Sequence, residues 1–430
     1  MKKVAALLFT CILMQQSLAQ WEKVYQHPNR RNFTGITFVD SLAGYVCGDS
    51  GTILKTIDRG QNWNPLNTGS KAMLFSIDFS SLNNGVAVGD TGLILRTTNA
   101  GSSWEQINVG FKKRQLAKVK FTSPDTGYIA GDSAAILKTT DGGQTWSQPQ
   151  PMPSAVQPWA KFLGLHFVNN NLGFGCGGSF GDNRKTLFVK TTNGGISWDT
   201  MASSLPSFRT GLWDVSFSSP SVGYSTGIFG IVMKTTDGGD SWLTVREMGG
   251  NYNRAMHIMN DSTGWVVGSL TGGLSFGDGV IKSTFDGGVF WNVESWPTLG
   301  LDWTNQGAAR LTCVTTVKHD NTYTAFAVGR EGVIIKSNYI TSNAQLFSNP
   351  AEIDLFPNPA KDEIEIRLTG ASGIISTKCF NALGKEMKLP VTEVRSNPNI
   401  RFDIHSLPTG IYSICCTKGQ KSWVKRFVKQ

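Results

Sequence analysis

The sequence predicts an all-β chain: a seven-bladed β-propeller closed by an N-terminal strand and followed by a small antiparallel β-sandwich. Three observations predict it. The 430 residues include 48 glycines, with 10% aromatic and only 17% charged residues, a balance that favours short strands and tight turns over helices. A unit ending in tryptophan recurs along most of the chain, with successive tryptophans 41, 42, 52, 44 and 49 residues apart, the size of a four-stranded blade. The unit is incomplete at both ends of the repeat region, and the two fragments complement each other.

The recurring element runs from Thr56 through Asp58 and Gly60 to Trp63. It returns with Asn99 and Trp104, Asp141 and Trp146, Asn193 and Trp198, Asp237 and Trp242, and Asp286 and Trp291. An apolar strand ending in a cation precedes the copies, as in Thr52-Ile53-Leu54-Lys55 and Leu93-Ile94-Leu95-Arg96. The pattern is strand, turn, strand: the Asp or Asn accepts from turn N–H groups, the glycine supplies positive φ, and the tryptophan buries a large ring beside the turn. Two more strands lie upstream in each unit, such as Gly35–Val39 and Gly44–Cys47, which makes four.

A seventh copy begins at Ala327-Val328-Gly329-Arg330 and reaches Lys336, but no tryptophan follows before the composition changes. At the other end, Trp21-Glu22-Lys23-Val24 has the character of a tryptophan strand without a strand before it. An N-terminal strand completing the last blade closes the ring and protects its edges.

This pattern resembles the Asp-box repeat proteins. The form Gly-Asp-x-Gly-x-Ile-Leu-Lys-Thr-Thr-Asp-Gly-Gly-x-x-Trp is most similar to the photosystem II assembly and stability factor propellers, over roughly residues 21–340. Sialidases and sortilin-type receptors share the Asp-box, so the resemblance implies the propeller and leaves function open.

Residues 1–19 read as a signal peptide, with Lys2 and Lys3, the apolar run Val4–Met14 and the small-residue end Ser17-Leu18-Ala19. No stretch reaches the ~20 apolar residues of a transmembrane helix. The propeller is expected over 20–340, a linker over 341–350 and the second domain over 351–430. Of the cysteines beyond the signal, Cys47 and Cys176 fall at matching repeat positions and read as small buried hydrophobes. Cys415 and Cys416 are adjacent on a predicted strand, so they point to opposite faces, and no metal site or cofactor is expected.

The last eighty or so residues open with Leu355-Phe356-Pro357-Asn358-Pro359 and continue in short alternating strands. With Asn381-Ala382-Leu383-Gly384-Lys385, Leu407-Pro408-Thr409-Gly410-Ile411-Tyr412 and the basic end Lys425–Lys429, they resemble the type A sorting domain of the type IX secretion system. That resemblance implies contact with the secretion machinery, export across the outer membrane of a Bacteroidota-type cell, and a secreted or surface location.

The Asp-box carboxylates are numerous, yet Asn stands at two copies, which a turn acceptor tolerates and a general acid does not. They are expected to be structural. A sialidase-like reaction needs an arginine clamp and inward carboxylates. Its arginine-containing N-terminal motif is absent, and Glu22, Glu105, Glu247, Glu294 and Glu331 lie mostly beside the tryptophan strand or its turn. The five histidines, His27, His166, His257, His319 and His405, show no metal spacing. The chain is therefore expected not to be an enzyme, with a glycan hydrolase or a pure surface scaffold as the alternatives.

Cations ahead of the innermost strands are the binding candidates: Arg31, Lys71, Arg114, Arg209, Arg254 and Arg310, with Trp213 and Tyr252 nearby. On a chain of net charge +9, such a ring at one channel mouth attracts an acidic peptide or anionic glycan, with binding weakened by salt. Nucleic acid is not an expected partner, because the cations form no reading motif and secretion removes the usual targets.

Overall fold

A computed structural model describes residues 21–430 except 111–113, 149–151, 155, 158–159, 179–185, 202–204, 206–210, 248–250, 271–278, 290, 295–309, 320–321, 341–352, 369–375, 382–385, 388–390, 395–398 and 419–420. Among the described residues of the repeat region, seven antiparallel sheets follow one another, each a blade. Their innermost strands are Phe33–Phe38, Leu74–Phe79, Leu116–Phe121, Lys161–Phe167, Leu212–Phe217, Asn251–Ile258 and Leu311–His319, for blades 1 to 7.

The ring closes as the complementary fragments predict. Glu22–Gln26 pairs antiparallel with Val333–Ile340, Glu22 opposite Lys336 and Gln26 opposite Val333, so the last sheet takes its fourth strand from the start of the chain. Trp21 is fully buried in a cluster with Trp265, Val267, Leu311 and Ile335. It fills the place that the Asp-box tryptophans fill in their own blades. Blade 3 departs from four strands: beyond Ile136–Thr139 only one bridge, Lys138 to Ser147, continues the sheet. The sequence there turns to Pro149 and Pro151, which have no N–H to offer a ladder.

Adjacent blades pack through a shared grammar. The second strand of blades 1 to 5 opens with a glycine where an added Cβ would stand 2.4–2.7 Å from the aromatic ring ending the inner strand, such as Gly44 on Phe38 or Gly173 on Phe167. The missing side chain lets that ring lie flat on its own sheet while its edge meets the tryptophan, as in Phe167 with Trp198 at 5.9 Å and Phe217 with Trp242 at 5.9 Å. Cys47 and Cys176 are buried free thiols.

The C-terminal region holds two four-stranded sheets. One orders Ile353–Phe356, Glu363–Leu368, Asn399–Asp403 and Val391–Val394, and the other Glu386–Met387, Ser376–Asn381, Gly410–Lys418 and Lys421–Lys429. Ile364, Ile366 and Phe402 from the first meet Cys379, Ile414 and Phe427 from the second in one buried cluster, the core of a small sandwich. The signal peptide and the whole linker lie outside the described residues, as do the side chains of Cys415 and Cys416.

Candidate functional site

The Asp-box turns sit at the rim and have one hydrogen-bond plan. Thr56 ends the third strand; its hydroxyl donates to Asp58 Oδ1 at 2.7 Å and accepts the Gly60 N–H at 2.9 Å. Asp58 Oδ1 also takes the N–H groups of Gln61 and Asn62, and Trp63 donates its indole N–H to the Gly60 carbonyl. Gly60 has φ of 74°, which permits this tight return. The Thr-to-Asx bond repeats at Asn99, Asp141, Asn193, Asp237 and Asp286.

Exchange of Asp for Asn only reverses the outer bond. Thr145 and Ser241 donate their hydroxyls to Asp141 and Asp237, whereas the Asn99 and Asn193 amides donate to Ser103 and Ser197. Partial burial pushes the Asp58, Asp141 and Asp237 carboxyls up, but the converging donors prevail and hold them below the usual value.

The third-strand cations tie each blade to the next. Lys55 donates to the Ala100 carbonyl of the following turn at 3.0 Å, Arg96 to Gly142 at 3.0 Å, Lys138 to Gly194 at 2.8 Å and Lys234 to Gly287 at 2.7 Å. Tyr45, Tyr128 and Tyr224 reach those same carbonyls from blades 1, 3 and 5. Lys190 pairs with Asp240, and Lys336, on the closing sheet, pairs with Glu22.

The inner strands surround a channel of about 640 Å³ lined by residues of all seven blades. A common register follows from a glycine at or near the end of each second strand, just across from the register shift, which pairs with Phe33, Leu74, Leu116, Phe162, Leu212, Asn253 and Leu311 in turn. In that register Arg310 and Tyr252 stand one residue before the reference position and Arg254 and Trp213 one after it. Arg31 and Arg114 stand two before it, and Lys71 three before it. The five described cations thus occupy four levels instead of one ring.

Arg31 and Lys71 are exposed, Arg114 is half-buried with its backbone carbonyl accepting from Gly92, and Arg209 lies outside the described residues. Arg254 and Arg310 reach the channel, joined there by Arg330, which is not one of the cations ahead of the inner strands. Arg330 opens the turn after the second strand of blade 7 and bonds through its N–H to the Arg310 carbonyl at 2.9 Å. In blades 1 to 3 the equivalent turn position is Asp49, Asp90 and Asp132. Charge around the mouth therefore changes from acidic to basic across the ring.

The Arg254 guanidinium lies 4.6 Å from the centre of the Trp213 ring, a cation–π stack. Burial, then the nearby Arg310 and Arg330, bring Arg254 down to about 10, and the same causes lower Arg310. Both remain charged at neutral pH. The Nε–H groups of Arg254 and Arg310 are buried with no hydrogen-bond partner among the described residues. Like charges so crowded, with unused donors, favour an anion between them.

Deeper in the channel, the fifth position of the register is polar in every blade: Thr37, Asp78, Lys120, His166, Ser216, His257 and Thr315. Lys120 pairs with Asp78 at 3.2 Å, and Lys118 reaches Asp214 at 3.5 Å. Lys118 is in blade 3 and Asp214 in blade 5, so the pair passes Gly164 of blade 4, which has no side chain to obstruct it. The two carboxylates also stitch blades, Asp78 accepting the Phe121 N–H at 2.8 Å and Asp214 the Met256 N–H at 3.1 Å.

Burial, then Lys120, His257 and Lys118, drive His166 down to about 3; burial, Lys120 and Lys118 bring His257 to about 4. Both imidazoles are neutral at physiological pH. Among the glutamates, Glu22, Glu105 and Glu331 are in ion pairs away from the channel, and Glu294 is buried against the Ser283 hydroxyl. The Glu247 side chain lies outside the described residues.

Residues 13–113 and 111–207 each match the family described as photosynthesis system II assembly factor YCF48, and residues 354–430 match the secretion system C-terminal sorting domain. The chain joins a propeller similar to YCF48 to a secretion sorting tail. Solved structures agree on the fold. YCF48 bound to D1 peptide is 19% identical with a TM-score of 0.56, covering 75% of this chain and 97% of that one. YCF48 from Cyanidioschyzon merolae is 18% identical with a TM-score of 0.57, covering 74% and 99%. A GH74 xyloglucanase from Xanthomonas campestris is 14% identical with a TM-score of 0.53, covering 81% of this chain and 59% of that one. No curated protein matches. The sorting tail indicates a secreted or cell-surface protein, and among the described residues no helix is long and apolar enough to cross a membrane.

Proposed function

We propose that this propeller is a non-catalytic binding module, exported by the type IX route, that captures a carboxylate-bearing ligand at its arginine mouth. The single observation that carries this reading is the cluster of Arg254, Arg310 and Arg330 beside Trp213, with buried guanidinium donors unpartnered among the described residues. The planar fork of arginine matches a carboxylate, and the indole offers a flat apolar surface next to it. An acidic peptide or an anionic glycan supplies both features. That a propeller of the same fold has been solved with a peptide, D1, supports the peptide member of that pair.

A hydrolase needs two carboxylates free to act on one bond. The channel carboxylates Asp78 and Asp214 are each committed to a lysine and a backbone N–H, which favours a binding role. Likeness to a xyloglucanase at 14% identity concerns the fold alone.

An acidic oligoglutamate peptide is the probe. Its affinity falls as salt rises, and Arg254→Ala with Arg310→Ala weakens it by about tenfold or more, the loss of one to two charge-assisted contacts. Unchanged affinity in that variant refutes the site. Turnover of any member of a panel of chromogenic glycosides refutes the non-catalytic assignment. Export is tested by mass spectrometry of both termini from culture medium and outer membranes: loss of the sorting tail supports it, and an intact tail on a periplasmic protein contradicts it.

A further inference from the structure

The polar ring inside the channel uses its hydrogen-bonding capacity unevenly. Asp78 is fully engaged, taking the Phe121 N–H, the Thr37 hydroxyl and the Lys120 ammonium. Ser216 accepts the Ile258 N–H at 3.1 Å, and His257 shares a hydrogen bond with Thr316 at 2.8 Å. The His166 imidazole has a ring contact, 6.0 Å from Phe217, and no side-chain hydrogen bond among the described residues. Lys120 keeps 45% of its side chain accessible despite its pair with Asp78. Blades 3, 4 and 6 therefore carry an arc of donors, Lys120, His166 and His257, facing one cavity.

The arc responds to charge. Burial and the ammonium groups of Lys118 and Lys120 oppose a second positive charge, which keeps both imidazoles neutral. An anion placed among them reverses that opposition, so each ring takes a proton and donates from both nitrogens. Asp78 and Asp214 face the same space from blades 2 and 5, but each is turned to a lysine and a backbone N–H. Burial pushes the Cys176 thiol up, so it adds no charge.

We propose that the channel interior binds a tetrahedral oxyanion of the phosphate or sulfate class through Lys120, His166 and His257. The site lies deeper in the same cavity than the arginine mouth. Point donors from three blades suit an anion whose acceptors point in several directions, whereas the guanidinium forks above suit a planar carboxylate. The oxyanion enters as a free ion or as the terminal group of a larger ligand, and its capture takes up protons. Binding therefore strengthens as pH falls through about 6.5, where the bound rings titrate near the ordinary imidazole value, and levels off only toward about 4 to 3, where the free rings take up protons as well.

The test is an NMR titration of the full chain, isotope-labelled at its five histidines, with inorganic phosphate at ionic strength held constant by chloride. The expected result is that the His166 and His257 resonances move and both titrate nearer the ordinary histidine value, while His27 and His405, outside the channel, stay where chloride leaves them. Lys120→Met weakens phosphate binding about tenfold, and His166→Asn, a smaller change to the fold, weakens it and abolishes its share of proton uptake. Phenyl phosphate run in parallel assigns the source: an equal response indicates a terminal group, and a response to the inorganic ion alone indicates a free ion. Phosphate that leaves both channel imidazoles unmoved, or binds Lys120→Met as tightly, overturns the proposal.

Discussion

The rim and the channel of this propeller are built from the same seven blades, yet they follow opposite rules. At the rim, the Thr-to-Asx bond recurs from Thr56 to Asp286, with the third-strand cation reaching the next turn in blade after blade. In the channel, one register position runs through threonine, aspartate, lysine, histidine and serine, and among neighbouring blades only 7 and 1, which both carry threonine, agree. A group needed in every blade serves what every blade needs, which is the turn and the join to its neighbour. A group present in one or two blades serves something the ring does once. The difference separates the numerous carboxylates of the rim, which look chemical, from the sparse charges of the channel and its mouth.

The largest effect that sharpens this comparison comes from the one blade that borrows a strand. Deleting residues 21–26 removes the fully buried Trp21 and bares the edge Val333–Ile340. The loss exceeds the ~3–5 kcal/mol of a buried Trp→Ala change, and size-exclusion chromatography shows the peak of the intact chain replaced by aggregates or strand-exchanged oligomers. Next is Gly164→Ala, whose Cβ would stand 2.6 Å from Cys176 Sγ and 2.8 Å from the Asp214 Cα. Blade 4 must shift, at a cost of about 1–3 kcal/mol in denaturant unfolding, and the Lys118–Asp214 pair is displaced with it.

The smallest effect is at the rim. Asp58→Ala costs about 1 kcal/mol and Asp58→Asn much less, because Asn99 and Asn193 already hold the same turn. The acid dependence follows from the same bonds. The folded carboxyl of Asp58 titrates below its unfolded value, so its contribution is present above about pH 4 and is lost as pH falls through the folded value. Asp58→Asn flattens that acid limb in unfolding measured across pH, and an unchanged limb refutes the assignment.

The Asp-box turns were legible in the sequence because they depend on short-range spacing, Thr to Asp to Gly to Trp, that repeats without insertion, and the closing strand because the tryptophan strand missing after Lys336 is the one left over at Trp21. The arginine ring was not, and the reason is local. Every inner strand has a register shift just after its reference position, such as between Phe33 and Gly35 or Leu311 and Cys313. The segments before those strands differ in length from blade to blade, so counting back through them places Arg31 and Arg254 as equivalents when they stand three positions apart. Arg330 was hidden differently, because it replaces an aspartate of the turn and not a residue of the inner strand. The polar ring at Lys120, His166 and His257 was present in the sequence but needed the register to become one circle. In the tail, Glu363–Leu368 and Gly410–Lys418 were legible from alternation, while Glu386–Met387 and Val391–Val394 are too short to alternate visibly.

The most direct test of the division between rim and mouth sets two variants side by side: Asp58→Asn with Asp141→Asn at the rim, and Arg254→Ala with Arg310→Ala at the mouth. Anisotropy of a dye-labelled oligoglutamate peptide is measured against both and against the unmodified chain in one low-salt buffer. The division predicts that the rim variant binds as the unmodified chain does and that the mouth variant loses about tenfold or more. A rim variant that stays folded but loses binding, or a mouth variant that keeps it, contradicts the division.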